Sequence, residues 1–331
     1  MAMPAASDSY PLSLVVSAVA DLTPEIRAYR LTSEDGRPLP AWDAGAHLAI
    51  RLRDDLARAY SLCGDPGNTD CYDIAVKRED QGRGGSMAMH RLGSPGALLR
   101  ASLPRNQFAL AGDARCHLLL GGGIGVTPLL AMARVLHRTG QRFQLALFCR
   151  SERHLPLPAD WREEPWADSV LLHFDDPAAP QKLDLSGLLA DVPEGGHVYY
   201  CGPEGFMQAV RACSGHLSDT QLHSEHFGAA PAVGAGATRA AGEARSTVEL
   251  VLARQQRSVA VAPGETLAHA LHLAGVALDT VCEQGVCGSC VTRYLDGQPE
   301  HHDSCLDADE RREYVALCCA TCASPTLVLD L

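Results

Sequence analysis

The sequence predicts three differently built folds in succession: an antiparallel β-barrel or sandwich, an α/β domain around a parallel sheet, and a small α+β domain. Three changes of texture carry this expectation. Short alternating runs with Gly, Pro and Asp between them occupy about residues 10 to 111, the pattern of antiparallel strands. Largely apolar strands then alternate with helical stretches to about residue 228, as a parallel sheet covered on both faces requires. After a segment dominated by Ala, Gly, Pro and Val comes a hairpin, a short helix, a cysteine-rich loop and a closing strand. The expected domains are therefore 1–111, 112–228 and 246–331, with 229–245 as linker.

In the first segment the strands are expected at Leu12 to Val19, His47 to Leu52, Ala59 to Cys63 and Tyr72 to Lys77. Asp65-Pro66-Gly67-Asn68 supplies turn chemistry between the last two. In the second, His117 to Gly121, Gln144 to Cys149, Val170 to Phe174 and Val198 to Cys201 read as strands. Pro128 to His137 reads as a helix, as does Pro203 to Cys213, with proline in its first turn. In the third, Thr247 to Ala253 and Ser258 to Ala262 form the hairpin, Glu265 to Ala274 the helix, and Thr326 to Leu331 the last strand.

Composition narrows the function. The chain has 331 residues, 46% hydrophobic and 21% charged, which suits a globular protein with several cores. A net charge of −12 speaks against nucleic acid or anionic membrane as a partner. From residue 246 onward twelve acidic residues face five arginines, so −7 of the −12 sits in the last domain, either a surface that steers a basic partner or a solvated acidic face with no such role. The most apolar window, Cys116 to Leu136, is broken by glycines and Pro128 before it reaches a membrane span. With no export signal expected, thirteen cysteines point to a reducing, cytoplasmic setting and to metal ligands among buried thiols.

The most specific motif is Cys282-Glu-Gln-Gly-Val-Cys287-Gly-Ser-Cys290. Four residues and then two between cysteines, with a distant fourth, is the spacing of plant-type [2Fe–2S] ferredoxins. Gly285 and Gly288 let backbone N–H groups approach the sulfurs. Zinc sites more often use two cysteine pairs. Cys318 is the expected fourth ligand, with Cys319 and Cys322 as competitors and Cys305 as a bystander.

Two glycine-rich strand-to-helix turns suit phosphates. The first, Gly121-Gly122-Gly123-Ile-Gly125-Val-Thr127-Pro128, suits a pyrophosphate at a helix start. Downstream, Tyr200-Cys201-Gly202-Pro203-Glu-Gly-Phe-Met207 again joins strand to helix and sets a thiol where a flat ring can rest. The second cradle, Gly82-Arg83-Gly84-Gly85-Ser86, follows the strand end Ala75-Val76-Lys77. Arg58-Ala-Tyr60-Ser61-Leu62 offers a cation, an aromatic plane and a hydroxyl that can hold a flavin ring and its phosphate. Two cradles imply two phosphorylated cofactors. After Cys149, Arg150 and Ser151 suit a 2′-phosphate while Glu152 suits ribose hydroxyls; the balance favours NADH over NADPH.

The ordered set RAYSL, AVKRE, GRGGS, LPRNQF, GGGIGVTP, YYCGPEGFM, His223-Ser-Glu225-His-Phe227, CEQGVCGSC, Gly297 to Ser304 and the closing Thr326 to Leu331 resembles the phthalate dioxygenase reductase family, which includes vanillate demethylase reductases. The resemblance runs from about residue 10 to the end. It implies a ferredoxin-reductase-like pair of domains, a flavin-binding β-barrel and an NAD-binding α/β domain, followed by a β-grasp ferredoxin domain. FMN rather than FAD is implied, with Arg58, Tyr60, Ser61, Arg83 and Ser86 around it and Phe227 beside its ring. Thr127 is implied to lie between flavin and nicotinamide, and Cys201 and Glu225 to flank the nicotinamide. The implied acceptor is the Rieske-type oxygenase component of an aromatic-ring oxygenase or demethylase, served by a monomeric reductase. A cytochrome P450 or other monooxygenase is the alternative acceptor. A non-enzymatic iron–sulfur redox sensor and a zinc-binding module with an empty flavin site are alternatives of other classes.

Overall fold

The computed structural model describes residues 10–53, 56–82, 84–176, 183–227, 247–278, 280–281, 283, 285, 288–303, 305–306 and 308–331. The chain divides into two compact units, Met1–Gly228 and Ala229–Leu331.

The first unit opens with β1 (Leu12–Asp21), β2 (Ile26–Ser33), β3 (Ala46–Arg53), β4 (Leu56–Ser61), β5 (Cys71–Lys77), α1 (Gly85–Leu92), β6 (Leu98–Ala101) and β7 (Arg105–Asn106). Their sheet runs β4–β3–β6–β1–β2–β5, with β7 beside β3. Leu62 bridges back to Ile74, and the Cys63 N–H donates to the Asp73 carbonyl at 2.9 Å, so the ends meet and the sheet nearly closes into an antiparallel barrel. Closure removes the exposed edges that an open sheet leaves. Between β4 and β5 the Asp65 side chain accepts from the Gly67 N–H at 2.9 Å, the Asx turn expected of that sequence. Leu14, Val16, Leu31, Leu48, Ile50 and Ile74 are wholly buried inside.

A parallel sheet follows: β8 (Cys116–Gly122), α2 (Val126–Arg138), β9 (Phe143–Cys149), β10 (Val170–Phe174), α3 (Leu185–Ala190), β11 (Gly196–Cys201), α4 (Glu204–Cys213) and β12 (Leu222–Glu225). The strand order is β10–β9–β8–β11–β12, with every pairing parallel. Both faces are covered. Leu119, Leu145 and Leu147 pack with α2 in the cluster that continues into the barrel. Leu118, Leu120 and Val198 pack with Leu189 of α3 and Met207 and Val210 of α4. Pro203 stands at the N-cap of α4 rather than inside its first turn. Within this sheet region two elements are absent from the sequence expectations: β12, whose residues Leu-His-Ser-Glu have no apolar run, and the short α3.

The second unit contains β13 (Val248–Leu252), β14 (Arg257–Val261), α5 (Leu267–Leu273), β15 (Val291–Asp296), β16 (Pro299–Glu300), β17 (Tyr314–Ala316), β18 (Thr321–Cys322) and β19 (Thr326–Leu329). The main sheet is β14–β13–β19–β15–β17, and β16 pairs with β18. The hairpin β13–β14 is antiparallel, while β19 runs parallel to β13. Thr266 caps α5 by accepting from the His269 N–H at 3.2 Å, and Leu267 and Leu271 pin the helix to the sheet. This is the mixed sheet with a crossing helix of a β-grasp domain. No helix among the described residues is long and apolar enough to cross a membrane.

Candidate functional site

The parallel sheet reverses its strand order between β8 and β11, and open α/β sheets bind ligands at the carboxyl ends of the strands at such a point. Both nucleotide turns of the sequence lie there. A Cβ on Gly125 would stand 2.1 Å from the Cys201 carbonyl oxygen and 2.6 Å from the Gly202 nitrogen, so the two turns are packed backbone against backbone. Gly122 and Gly202 lie together under Phe206 and Pro203. Gly123 has φ of 52° with open space beyond its Cα. The first turn of α2 carries no acidic residue and no side-chain cap, so its leading N–H groups suit an anion. Thr127 is buried, and its hydroxyl donates to the Ile124 carbonyl at 3.0 Å. Pro128 is buried in the same helical turn. Met207 is not brought to this point; it lies in the apolar layer under α4.

Beside these turns the barrel meets the sheet. Glu225 on β12 is in register with Cys201 on β11, and Ser61 Oγ donates to Glu225 Oε2 at 2.9 Å. The last residue of β4 is thereby joined to the outer strand of the nucleotide sheet. Burial raises the Glu225 carboxyl to about 7, against the opposing effect of the Ser61 hydrogen bond. Burial and the neighbouring Glu225 push the Cys201 thiol well above its ordinary range, so it is a neutral thiol and not a nucleophile. Phe227, two residues beyond β12, is 41% exposed.

The flavin candidates gather around β4 and α1. Burial lowers the basicity of Arg58, whose guanidinium donates to the Ala57 carbonyl at 2.7 Å. A Cβ on Gly85 would stand 2.4 Å from the Arg58 side chain, so the arginine lies across the helix start only because that residue is glycine. Gly84 has φ of 81° and faces open space. Tyr60 has a buried hydroxyl without a hydrogen-bond partner among the described residues, an unmet need that a ligand can fill. Ser86 Oγ accepts from the Glu79 N–H at 3.0 Å, Gly82 N–H donates to the Glu79 carbonyl, and Lys77 pairs with Glu79. Leu62, Ala75 and Val76 are buried, so of these three only the backbone is available to a ligand. Arg83 lies outside the described residues. His47, which the sequence reading did not single out, stands opposite Ser61 across β3 and β4. It is buried with Nε2 unpartnered among the described residues, and burial with the nearby Arg105 lowers it to about 4. Only its place in the strand opposite Ser61 marks it, and that register is set by the folded sheet.

At the end of β9, Arg150 Nη2 pairs with Glu25 Oε2 at 2.7 Å, and Ser151 Oγ lies 2.8 Å from His154 Nδ1.

In the second unit Cys282 and Cys287 lie outside the described residues. Cys290 and Cys318 are buried in its core cluster. Gly285 has φ of 71°, and a Cβ there would stand 2.5 Å from Cys319 Sγ and 2.8 Å from Asp303 Cα; Gly288 has φ of 70°. Both glycines thus take conformations that side chains resist, in the loop that the cluster motif spans. Asp303, its side chain wholly buried, accepts from the Leu306 N–H at 3.0 Å, and Arg311 donates to its carbonyl at 2.6 Å. A hydrogen bond with the adjoining Cys318 thiol, then burial, raise the Cys319 thiol. Cys322 donates to the Gln298 carbonyl at 3.4 Å beside the β16–β18 ribbon. Two buried thiols and two left-handed glycines suit a thiolate-bound cluster.

Residues 250–324 match the family described as the 2Fe-2S iron-sulfur cluster binding domain. The vanillate O-demethylase oxidoreductase of Pseudomonas sp. (strain HR199 / DSM 7063) is 36% identical over 324 residues, covering 97% of this chain and 100% of that protein. The solved structure of phthalate dioxygenase reductase, a modular structure for electron transfer from pyridine nucleotides to [2Fe-2S], superposes with a TM-score of 0.71 at 33% identity, covering 98% of this chain and 99% of that one. An intact type IV self-sufficient cytochrome P450 monooxygenase superposes with a TM-score of 0.80 at 32% identity, over 97% of this chain but 41% of that longer one. With its barrel, parallel sheet and β-grasp domain in the same order and at this likeness over its whole length, the chain belongs to the phthalate dioxygenase reductase family of oxidoreductases, together with the vanillate O-demethylase oxidoreductases.

Proposed function

We propose that this chain is the NADH-using reductase of a multicomponent oxygenase, holding FMN on the barrel, NADH at the strand-order switch and a [2Fe–2S] cluster in the second unit. The observation that carries this reading is the Ser61–Glu225 hydrogen bond beside Cys201, because it joins the candidate flavin strand to the candidate nucleotide turns. When bound, the flavin supplies the conversion between the paired electrons of a hydride and the single electrons an iron–sulfur centre accepts.

The protein's task is alignment rather than acid–base chemistry. Tyr60, Arg58 and the Gly84–Ser86 turn hold ring and phosphate on the barrel side. The turns at Gly121–Pro128 and Cys201–Pro203 would hold the dinucleotide, with Thr127 and Phe227 beside the flavin and nicotinamide. Cys201 offers a polarisable neutral sulfur to the nicotinamide. Glu225 holds the Ser61 hydroxyl in place and carries a proton of its own over part of the population near neutral pH. Cys282, Cys287, Cys290 and Cys318 are the proposed cluster ligands. The proposed domain limits are 1–111, 112–228 and 246–331.

The proposed acceptor is a Rieske-type oxygenase that acts on an aromatic or related substrate, served by a monomeric reductase. The likeness to part of a self-sufficient cytochrome P450 monooxygenase favours a cytochrome P450 acceptor as the second reading. Replacing Cys287 by serine tests the electron route. Ferricyanide reduction by NADH should persist, while cytochrome c reduction and oxygenase support should fall to background. Persistence of both would refute the route, and assays with a purified Rieske oxygenase and a purified P450 separate the acceptors.

A further inference from the structure

Arg150 is the first residue after β9, the second strand of the parallel sheet in chain order. In open α/β dinucleotide sites this position meets the adenosine ribose, where an acidic residue takes the 2′-hydroxyl and an arginine takes a 2′-phosphate. The strand end is rich in phosphate-binding chemistry, since Ser151, Arg153 and His154 follow. These residues suit a 2′-phosphate, and of this strand end only Glu152 opposes it.

Arg150 is nevertheless engaged. Its Nη2 lies 2.7 Å from Oε2 of Glu25, which belongs to the β1–β2 turn of the barrel, 125 residues away in sequence. Glu25 is anchored independently of that pair. Its N–H donates to Thr23 Oγ1 at 3.3 Å, and its carbonyl accepts from the Arg78 N–H at 2.7 Å. Arg150 holds the Glu25 carboxyl below its ordinary range, aided by Lys77 and His154, so the group is ionised at neutral pH. Glu152, the acidic residue next to Arg150 in sequence, is 77% exposed and faces Arg162 at 3.9 Å. The carboxylate that meets the ribose-reading arginine therefore comes from the barrel.

We propose that Glu25 sets the choice between nicotinamide nucleotides: its carboxylate occupies Arg150 and withholds that guanidinium from the 2′-phosphate that Arg150, Ser151 and Arg153 would otherwise bind. The inference rests on the nucleotide site proposed above and deepens it. Glu25 is a positioning residue, acting through Arg150. NADH carries a hydroxyl at this place and makes no demand on the arginine. The ion pair is partly exposed, with Arg150 at 59% and Glu25 at 35%, so its effect is modest. Discrimination then comes from the arginine's charge, which the Glu25 carboxylate already neutralises when a 2′-phosphate arrives, worth about tenfold in affinity.

The test uses the holoprotein, with 2′,5′-ADP and 5′-ADP as probes in calorimetric titrations, and NADPH and NADH in steady-state kinetics. Glu25→Gln should tighten 2′,5′-ADP about tenfold more than 5′-ADP and lower the KM for NADPH with little change in kcat. Glu25→Asp, which keeps the charge, should preserve the discrimination of the parent. In an Arg150→Ala background the gain from Glu25→Gln should vanish. An unchanged 2′,5′-ADP affinity in Glu25→Gln, or a gain that survives without Arg150, overturns the proposal. A parent protein that binds neither 5′-ADP nor NADH overturns the nucleotide site itself, a distinct result.

Discussion

Replacing Gly125 by alanine brings a methyl carbon to 2.1 Å from the Cys201 carbonyl oxygen, 2.3 Å from its carbonyl carbon and 2.6 Å from the Gly202 nitrogen. All three atoms are backbone, so no rotamer change relieves the clash. The turn after β11 must instead move away from the turn after β8, yet the two strands are laddered from Gly196 to Cys201. Overpacking in a dense interior costs about 1–3 kcal/mol, and the upper end applies because only backbone can yield. For a unit of this size about 3 kcal/mol lowers Tm by about 6–12 °C. Calorimetry on the first unit's transition measures it, and nucleotide titration should show weakened binding because the same turn presents the N–H groups of the cradle. Gly205→Ala is the matched control: it lies in α4 with nothing within 4 Å of a new Cβ, and should gain about 0.5–1 kcal/mol. If Gly125→Ala melts with the parent and binds nucleotide as tightly, the backbone contact between the turns is not what holds the site.

Tyr60→Phe removes a buried hydroxyl that has no partner among the described residues. It should stabilise the flavin-free protein by about 1 kcal/mol and weaken FMN binding by about tenfold, as read by chemical denaturation and flavin fluorescence titration; loss of stability with unchanged FMN affinity would contradict the assignment. Glu225 has a folded-state value near 7, above the 4.5 of an ordinary glutamate. Its contribution to stability is therefore fully present below about pH 4.5, declines between there and about 7, and is absent above. Glu225→Gln should flatten that part of the stability–pH curve, and an identical slope in both proteins would show that the carboxyl is not desolvated.

Strands and helices with strong periodicity were legible from the residues alone. The apolar runs at His117 to Gly121 and Gln144 to Cys149 became adjacent buried strands, because a continuous run of Leu and Ala satisfies only a strand covered on both faces. The glycine turns were equally legible, since Gly125 and Gly285 are dictated by close backbone approach and by positive φ. The strand β12 was not. Leu222–Glu225 has no periodicity of its own and is a strand because β11 offers it a parallel edge. His47 was missed for a related reason: in a strand of apolar neighbours, only its register opposite Ser61 marks it. Met207 followed its motif by sequence into the binding candidates, but helical geometry turns it into the core.

By itself the sequence determined the three textures, the spacing of the cysteine loop and the two glycine-rich cradles, because each depends on local backbone geometry or on ligand reach along a few residues. Tertiary structure alone decided which groups meet across long separations: Ser61 with Glu225, Gly125 with Cys201, Glu25 with Arg150. Such pairings depend on strand order and register, which follow from the packing of whole sheets and leave no mark within the segments they join.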